Sequence, residues 1–368
     1  MNIGIVTIFG EWNYGNRLQN YALQTVIEFL GNTCSTIVVD QNGESDAHRR
    51  LAMAVCRVVK KNSYLRRKRC YNFYKFNEKY INQNHYTASS LPLVANDTFD
   101  YVVCGSDQVW NLKLGDIKSN PDLYFLSFIE RKRRVSYAAS IGTDFVPPEY
   151  RDYFVSKIKG IPSISVRENS ARDIIKELTS RDVDVVIDPT LLLSQKQWSD
   201  LAQKPKNFTN KKYLATYFLG DTDGKTNGYI RKIAEKHNLQ IVPLLPDYND
   251  LGGDTSTYTY SPSEFLYVLQ NAEFVATDSF HGSVFSMIFE KPFRWFARKS
   301  KTVKSEEKMS DRTNTLFSTL GIDSWCVADF NESVDGVMTA DYSQTPALLS
   351  KERAKAIRFL NNALSQDK

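Results

Sequence analysis

The chain has 368 residues, of which 42% are hydrophobic and 12% aromatic. A chain of this length is too long for one ordinary hydrophobic core, which indicates two domains. No run approaches the ~18 apolar residues of a membrane-spanning helix. The formal net charge of +5 suits an anionic small molecule or an anionic membrane surface as well as nucleic acid, so charge alone does not identify a partner.

The five cysteines are scattered without Cys-x-x-Cys spacing, so neither a zinc site nor a disulfide framework is indicated. The amino terminus has the pattern of a strand that enters a polar loop, rather than that of a secretion signal. We therefore expect a soluble, cytoplasmic protein with reduced thiols.

The first elements predict a parallel α/β unit. Residues 3–9 form a continuous apolar strand, residues 10–17 a polar loop, residues 18–30 an amphipathic helix and residues 36–39 a second strand. Continuous apolar strands are typical of parallel sheets that helices cover on both faces. The chain is thus expected to begin with a doubly wound sheet.

Residues 45–82 are helical in pattern and strongly basic, with Lys and Arg alternating with Leu, Val, Tyr and Phe. One interpretation is a solvated helical hairpin whose aromatic side chains pack on the sheet, because runs of charge are usually surface. The other is a patch that contacts anionic lipid, or a lipid-linked phosphorylated substrate, at the inner face of the membrane. The pattern leaves both open.

The rest of the chain alternates strands and helices twice. The strands expected before the Pro-, Asn- and Lys-rich linker at residues 204–212 are 99–104, 134–139, 164–166 and 183–187. Those expected after it are 213–219, 240–245 and 274–277, and the last helix covers residues 346–364. The economical architecture is two Rossmann-like α/β domains, residues 1–205 and 206–345, that face each other across a cleft and precede a C-terminal helix at 346–368.

His281 lies in a polar turn, residues 278–282, between the strand at 274–277 and a helix at 283–289. Open α/β sheets bind ligands where a strand ends, and the N–H groups of a following helix favour an anion. Asp278 could orient the imidazole and favour its charged, proton-donating form. A single histidine is often only a hydrogen-bonding residue, however. A Ser/His/Asp hydrolase is disfavoured because the chain has no Gly-x-Ser-x-Gly motif.

Polar residues also follow two strands of the first half. Asn13 and Asn16 lie in the first loop, where they could contact a ligand or simply be polar loop residues. Ser106 and Asp107 follow the strand at 99–104, where a hydroxyl and a carboxylate could meet a substrate or cap a helix.

Two arginines are candidate anion ligands. Arg167 follows the strand at 164–166, and Arg312 begins the helix expected at 311–320. A guanidinium at either place could bind a carboxylate or phosphate, at ~1.5–3 kcal/mol for each charge-assisted hydrogen bond. The alternative is a structural ion pair, such as that of Arg167 with Glu168 or an aspartate. The chain has neither a Gly-x-Gly-x-x-Gly motif nor a P-loop, which argues against dinucleotide and P-loop nucleotide sites.

An ordered set of motifs resembles the polysaccharide pyruvyl transferase family. The motifs are NYGNRLQNYALQ (13–24), GSDQVWN (105–111), YAAS (137–140), SVRE (165–168), DPTLL (188–192) and TDSFHG (277–282). The resemblance spans about residues 3–320. It implies a GT-B-like fold in which two Rossmann-like domains face across a cleft and the last helix crosses back to the first domain.

The resemblance also implies a reaction. The enolpyruvyl group of phosphoenolpyruvate would be transferred onto two hydroxyls of a sugar or lipid-linked oligosaccharide, giving a cyclic pyruvate ketal and phosphate in surface polysaccharide biosynthesis. Phosphoenolpyruvate would be a co-substrate, and no metal, further cofactor or nucleic acid partner is expected.

On this resemblance the second domain holds the donor. His281 would bind it and act as general acid and base, with Asp278 as the orienting carboxylate. Arg167 would bind the donor's carboxylate or phosphate, and the Gly282 and Ser283 amides its phosphate.

The acceptor side would lie across the cleft. The residues expected to contact the sugar, or in the case of Asp107 to help deprotonate it, are Asn13, Asn16, Ser106 and Asp107.

One position departs from the family pattern. Some members have an arginine two places before the histidine, where this chain has Ser279 in the donor site. The second anion ligand is then expected to be Arg312 or one of Lys299, Lys301 and Lys304.

Two other functions fit parts of the sequence. A nucleotide-sugar-dependent GT-B glycosyltransferase would bind a diphosphate near His281 and ribose through Glu264 or Asp278. A non-catalytic glycan- or lipid-phosphate-binding protein is disfavoured because His281, Asp107 and Arg167 lie at the ends of separate strands.

Overall fold

The computed structural model describes residues 1–10, 12–39, 46–59, 61–209, 211–245, 251, 255–298, 311–322, 330 and 333–365. The elements of the first part are β1 (Asn2–Val6), α1 (Tyr14–Phe29), β2 (Thr33–Val39), α2 (Asp46–Val59), α3 (Lys61–Tyr80), β3 (Gln83–Tyr86), α4 (Leu91–Thr98), β4 (Tyr101–Cys104), α5 (Gly115–Ser119), α6 (Pro121–Tyr124), β5 (Arg134–Ala139), α7 (Arg151–Ile158), β6 (Ser163–Val166), α8 (Asn169–Thr179), β7 (Asp184–Val185) and α9 (Gln195–Leu201). Those of the second part are β8 (Tyr213–Tyr217), α10 (Gly224–Lys236), β9 (Gln240–Pro243), α11 (Pro262–Gln270), β10 (Phe274–Thr277), α12 (Phe280–Ile288), β11 (Phe293–Trp295), α13 (Asp311–Leu320) and α14 (Thr345–Ala363).

The strands form two parallel sheets. The first has the order β3-β2-β1-β4-β5-β6-β7 and the second the order β11-β10-β8-β9. Each sheet lies between helices, so the predicted GT-B-like architecture of two Rossmann-like α/β domains is confirmed.

The faces of the first sheet show why it is covered on both sides. Val103 of β4 packs in the same apolar cluster as α1, whereas its neighbour Val102 packs with α4 and α7 on the opposite face. Successive side chains of a strand point to opposite faces, so a strand that is apolar at every position must be covered twice.

Sequence patterns predicted the buried elements well and the polar ones poorly. The expected bounds of β5, β10 and α13 are confirmed. The edge strand β3 was missed because its sequence, QNHY, is polar and only partly buried. Helix α1 begins four residues earlier than predicted because Asn13 caps it.

The basic segment forms the predicted helical hairpin of α2 and α3. Helix α3 anchors it, because Phe73 and Phe76 are buried in the same cluster as α1. Among the helices that the structure describes, none combines the length and the apolar character that a membrane span requires.

One apolar cluster is shared by the two domains. It includes Val103 of the first sheet, Trp198 of α9, and Tyr217 and Val275 of the second sheet. The Arg353 guanidinium of α14 donates hydrogen bonds to the Leu191 and Leu193 carbonyls, which precede α9. Helix α14 therefore also contacts the first domain.

Candidate active site at the domain interface

The amino end of α12 lies at the centre of the site. Ser279 is its N-cap: the Ser279 Oγ accepts a hydrogen bond from the Gly282 amide (3.3 Å), and the Ser279 carbonyl accepts one from the Ser283 amide (3.0 Å). The expectation that the Gly282 and Ser283 amides hold a phosphate is corrected, because the helix already uses both. The amides of Phe280 and His281 precede the first intrahelical bond, so these are the pair that α12 can offer to an anion.

His281 is buried between the two domains. Its Nε2 lies 3.6 Å from the Asp188 Oδ2, an ion-pair distance, and makes no hydrogen bond to the described residues. On the opposite side of the ring lies Gly15, in the first turn of α1. A Cβ on Gly15 would lie 2.0 Å from the His281 Nδ1, so only glycine leaves room for the imidazole.

Asp278 is not the carboxylate beside His281. It accepts hydrogen bonds from the Leu219 and Gly220 amides (2.7 and 2.8 Å) and pairs with the Arg298 guanidinium at 3.2 Å. It therefore ties the loop after β8 to the end of β10. The orienting role predicted for Asp278 is corrected in favour of Asp188, which reaches the imidazole from the first domain.

Asp188 is the centre of a buried hydrogen-bond network. It accepts hydrogen bonds from the Ser106 hydroxyl (2.7 Å), the Arg167 Nη1 (2.8 Å) and the Thr190 hydroxyl (2.6 Å). Burial alone would raise the pKa of the Asp188 carboxyl, but His281, Arg167 and Thr190 outweigh it, so this pKa lies well below its ordinary value. Asp188 is accordingly a carboxylate at any physiological pH.

Arg167 lies between three carboxylates. Its guanidinium is 2.8 Å from Asp188, 3.5 Å from Asp107 and 3.9 Å from Glu168. Burial would lower the pKa of Arg167, but these carboxylates raise it. The guanidinium also lies over the Phe280 ring, 4.3 Å from its centroid. The charge of Arg167 is thus already compensated, as the structural interpretation expects, and its donor role stays a prediction.

The charge of Arg312 is less closely compensated. The structure shows no carboxylate within 4.0 Å of it among the described residues, and its Nε makes no hydrogen bond there. Burial, together with the neighbouring Arg167, lowers the pKa of Arg312 to about 10, so it remains charged at neutral pH. Glu168 and Asp107 compensate its charge in part, and a buried cation without a carboxylate at ion-pair distance among the described residues is the kind of group that an anionic ligand would stabilise.

A cavity of about 190 Å³ opens beside these groups. Its walls include Arg167, Asp188, Phe280 and Arg312, and α14 contributes Lys355. The cavity therefore joins the two domains next to the amino end of α12. Lys299, Lys301 and Lys304, the other predicted cations, lie outside the described residues.

The predicted acceptor residues lie on the first-domain side. The Asn13 side chain accepts hydrogen bonds from the Gly15 and Asn16 amides and so caps α1. The buried Asn16 Oδ1 has no hydrogen bond within the described chain and could accept one from a ligand hydroxyl. Ser106, in contrast, already donates its hydroxyl hydrogen to Asp188.

Asp107 has an unusual backbone. Its φ of 77° lies in the left-handed region, which residues other than glycine seldom adopt. The conformation is fixed by a hydrogen bond from the Ser140 amide to the Asp107 carbonyl (2.9 Å). Such backbone strain is often found at functional sites.

Three site residues were missed by the sequence analysis. Asp188 directly follows a predicted strand and so had the strand-end signal of the other candidates, whereas Arg298 follows β11, a strand that was not predicted. Gly15 had no signal, because its importance depends on a contact with the other domain. No three His, Cys, Asp or Glu side chains of the described ranges gather closely enough to hold a metal ion.

Charged side chains from two Rossmann-like domains, meeting around a helix amino terminus, define the class of the protein as an α/β enzyme with an interdomain site. The sequence profile described as polysaccharide pyruvyl transferase matches residues 13–300. The chain belongs to the polysaccharide pyruvyl transferase family, as its motifs predicted, and is therefore a transferase that modifies polysaccharide.

Solved structures resemble the fold at low identity. The UDP-GlcNAc 2-epimerase of Neisseria meningitidis, bound to UDP-GlcNAc, is 11% identical over 98% of this chain and 100% of that chain, with a TM-score of 0.49. The MurG of Acinetobacter baumannii is 7% identical over 99% of each chain, with a TM-score of 0.44. A glycosyltransferase of Rickettsia africae is 10% identical over 98% of this chain and 99% of that chain, with a TM-score of 0.47. No curated protein sequence matches the chain.

Proposed function

We propose that the protein is a phosphoenolpyruvate-dependent, ketal-forming pyruvyl transferase of surface polysaccharide biosynthesis. The observation that supports this most is the arrangement around His281 in a chain of this family. A buried imidazole at the amino end of α12 lies beside Asp188, and Asp188 and the buried Arg312 line the same cavity.

The donor would occupy the cavity beside Arg312. Phosphoenolpyruvate carries a carboxylate and a phosphate, and each needs a cation or N–H donors. The Arg312 guanidinium and the amides of Phe280 and His281 supply these donors. Arg167 lines the same cavity, although its guanidinium is already paired with Asp188.

His281 would supply the proton that starts the reaction. The imidazole would protonate the methylene carbon of the donor, which makes the neighbouring carbon electrophilic. One sugar hydroxyl adds there, the carbon–oxygen bond to phosphate breaks, and the second hydroxyl closes the ketal. Of the two hydroxyl protons, one restores His281 and the other leaves on the phosphate. Asp188, whose Oδ2 lies 3.6 Å from the His281 Nε2, orients the imidazole.

The acceptor would bind on the first-domain side. The free Asn16 Oδ1 accepts a hydrogen bond from a sugar hydroxyl, and Asp107 takes a hydroxyl proton as the hydroxyl attacks and passes it to the departing phosphate. Asp107 has a left-handed backbone, and its carboxylate lies beside the Gln108 amide and Arg167.

The glycosyltransferase alternative has less support from the geometry. Its ribose would need a free carboxylate, but the Glu264 Oε2 accepts a hydrogen bond from the Ser261 amide (2.8 Å) in a capping box. Asp278, the other candidate, is bound by two amides and Arg298.

Labelled phosphoenolpyruvate incubated with a panel of glycosides tests the proposal. We expect label in a glycoside product with release of phosphate, and none from His281→Ala. The exposed His85 provides a matched control, and His85→Ala should retain activity. Phosphoenolpyruvate should also raise the melting temperature. Stabilisation by a nucleotide sugar and not by phosphoenolpyruvate would instead support the glycosyltransferase.

A further inference from the structure

The positive charge of the chain is concentrated in one segment. Residues 46–80, which span α2 and α3, contain eleven Lys and Arg residues and two acidic residues, giving a formal charge of +9. The whole chain has a charge of +5, so the remainder is acidic, at −4. The positive charge is therefore concentrated in this segment of the chain and is not a property of the protein as a whole.

The outer face of α2 is apolar as well as exposed. Leu51 is 68% and Val55 55% exposed, and Ala54 between them is also exposed. Positions 51, 54 and 55 fall on one stripe of a helix, because residues three and four apart are neighbours. Aliphatic side chains of this size are seldom left in water side by side without a partner.

Exposed cations lie on both helices of the hairpin. Arg50 is exposed on α2 and donates from its Nε to the Tyr71 hydroxyl (3.1 Å), and Arg66 and Arg67 are exposed on α3. The Arg66 guanidinium lies over the Trp12 ring, 4.7 Å from its centroid, beside the Asn13 cap of α1. We call the exposed residues Arg50, Leu51, Ala54, Val55, Arg66 and Arg67 the hairpin patch.

Helix α3, which carries part of the hairpin patch, is held in place by buried contacts. Arg69 of α3 is 1% exposed and donates hydrogen bonds to the Tyr14 hydroxyl and the Tyr258 carbonyl, both at 2.7 Å. These contacts and the buried Phe73 fix the inner face of α3. The outer surface of the hairpin is not needed for these contacts.

We propose that the hairpin patch docks the protein on an anionic phospholipid bilayer. Leu51 and Val55 would enter the boundary between headgroups and acyl chains, while the arginines contact lipid phosphates, as in helices that lie in a membrane interface. Each Lys or Arg near such a surface contributes ~1 kcal/mol. Nucleic acid would also attract the arginines, but it offers nothing to exposed aliphatic side chains, so the bilayer is the better match.

Docking has a consequence that rests on the proposed function. A protein held on a membrane by a hairpin beside the Asn13 loop would meet its acceptor as a lipid-linked sugar. Docking itself requires no catalysis, so a failure of either idea can be distinguished from a failure of the other.

Flotation of the full chain with vesicles tests the docking. We expect binding to vesicles containing phosphatidylglycerol, with little binding to phosphatidylcholine alone. Arg66→Gln with Arg67→Gln should weaken binding about 30-fold, from ~1 kcal/mol per residue. Leu51→Ser with Val55→Ser keeps the charge and should weaken it about tenfold or more. Raising salt from 0.1 M to about 1 M should release the protein, since the Debye length falls from ~10 Å to ~3 Å.

Two matched variants serve as controls. Lys225→Gln with Lys232→Gln removes two exposed cations from α10, and Leu93→Ser removes an 80% exposed leucine from α4. Both should bind vesicles as the parent does. Equal losses in the control and hairpin variants would overturn the proposal. So would equal binding to phosphatidylcholine, or competition by a nucleic acid at the same affinity. Melting temperatures of all variants show that each is folded.

Discussion

Gly15 is the point at which the amino ends of α1 and α12 touch. Its missing side chain provides the space that the His281 ring occupies, since a Cβ there would lie 2.0 Å from the His281 Nδ1. The contact joins a residue of the first domain to the proposed acid of the second. The position of the imidazole thus depends on a residue that performs no chemistry of its own.

Gly15→Ala should therefore reduce pyruvyl transfer by about 100-fold or more, the size of effect expected when a catalytic group moves by ~1 Å. The melting temperature should fall only slightly if the ring swings aside. The matched control is Gly228→Ala on α10, where a Cβ would meet nothing within 4 Å. Because alanine favours a helix over glycine, this control should be as stable as the parent and fully active. Full activity of Gly15→Ala would contradict the assigned position of His281.

Variants of Arg312 and Arg167 should lose different properties: donor affinity for Arg312 and folding stability for Arg167. Arg312→Gln should weaken phosphoenolpyruvate binding roughly 10- to 100-fold, because a charge-assisted hydrogen bond contributes ~1.5–3 kcal/mol. Arg358→Gln, which removes an exposed cation from α14, should leave the affinity unchanged. Titration calorimetry with phosphoenolpyruvate measures both.

Arg167→Lys completes the comparison. A lysine cannot copy the guanidinium contacts to Asp188 and Asp107, so the variant should lose folding stability. If it binds phosphoenolpyruvate like the parent, Arg167 is structural. If Arg312→Gln also does so, the donor does not bind in the cavity beside Arg312.

The residues of the site show what a sequence can and cannot predict. His281 and Arg167 were found because both follow strands, and parallel strands end at one edge of a sheet. The pairing of His281 was predicted wrongly. Proximity in sequence favoured Asp278, but the neighbouring carboxylate is Asp188, 93 positions earlier in the chain, and only the packing of two domains brings it there.

At the scale of elements, α3 adds hydrogen bonds that join the two domains. Its Arg69 donates hydrogen bonds to the Trp12 and Tyr258 carbonyls, and its Asn72 donates one to the Thr259 carbonyl. Trp12 precedes α1, whereas residues 255–259 form a 3-10 turn of the second domain. Helix α3 thus fastens that turn to the amino end of α1.

Arg69→Gln should lower the free energy of unfolding by ~2–3 kcal/mol, because buried carbonyls would lose their donors. The urea midpoint should fall accordingly. Lys75→Gln changes an exposed cation on the same helix and should have little effect. Equal midpoints for the two variants would mean that α3 does not fasten the domains through Arg69.

Prediction of elements succeeded where burial imposed a pattern. Strands β5 and β10 consist largely of buried residues, and their bounds were predicted correctly. Strand β3 lies at an edge, where polar residues are allowed, so no periodicity marked it. Helix α1 begins early because Asn13 caps it, whereas the polar composition of residues 10–17 indicated a loop.

At the scale of the whole molecule, Asp188 makes stability depend on pH. Its folded pKa lies below the ordinary value, so its stabilising contribution is fully present above the unfolded pKa of ~3.9 and is lost as the pH falls below it. Asp188→Asn should cost about 3 kcal/mol at pH 7, because Arg167 loses its closest partner in a buried network.

The difference in unfolding free energy between the parent and Asp188→Asn should shrink as the pH falls from 5 to about 3. Urea unfolding across this range measures it. Asp200→Asn is the control: Asp200 is exposed and pairs with Lys196 on the surface, so that variant should differ from the parent by less than ~1 kcal/mol. A difference for Asp188→Asn that stays constant down to pH 3 would contradict the assignment.

The apolar cluster shared by the two sheets has a consequence for how substrates enter. Val103, Trp198 and Val275 belong to one continuous cluster, so swinging the domains apart like a hinge would expose core side chains to water. Under the proposed function, substrates would therefore reach the cavity beside Arg312 without such an opening, and the acceptor sugar would be selected by the shape of a preformed site rather than by a closing movement.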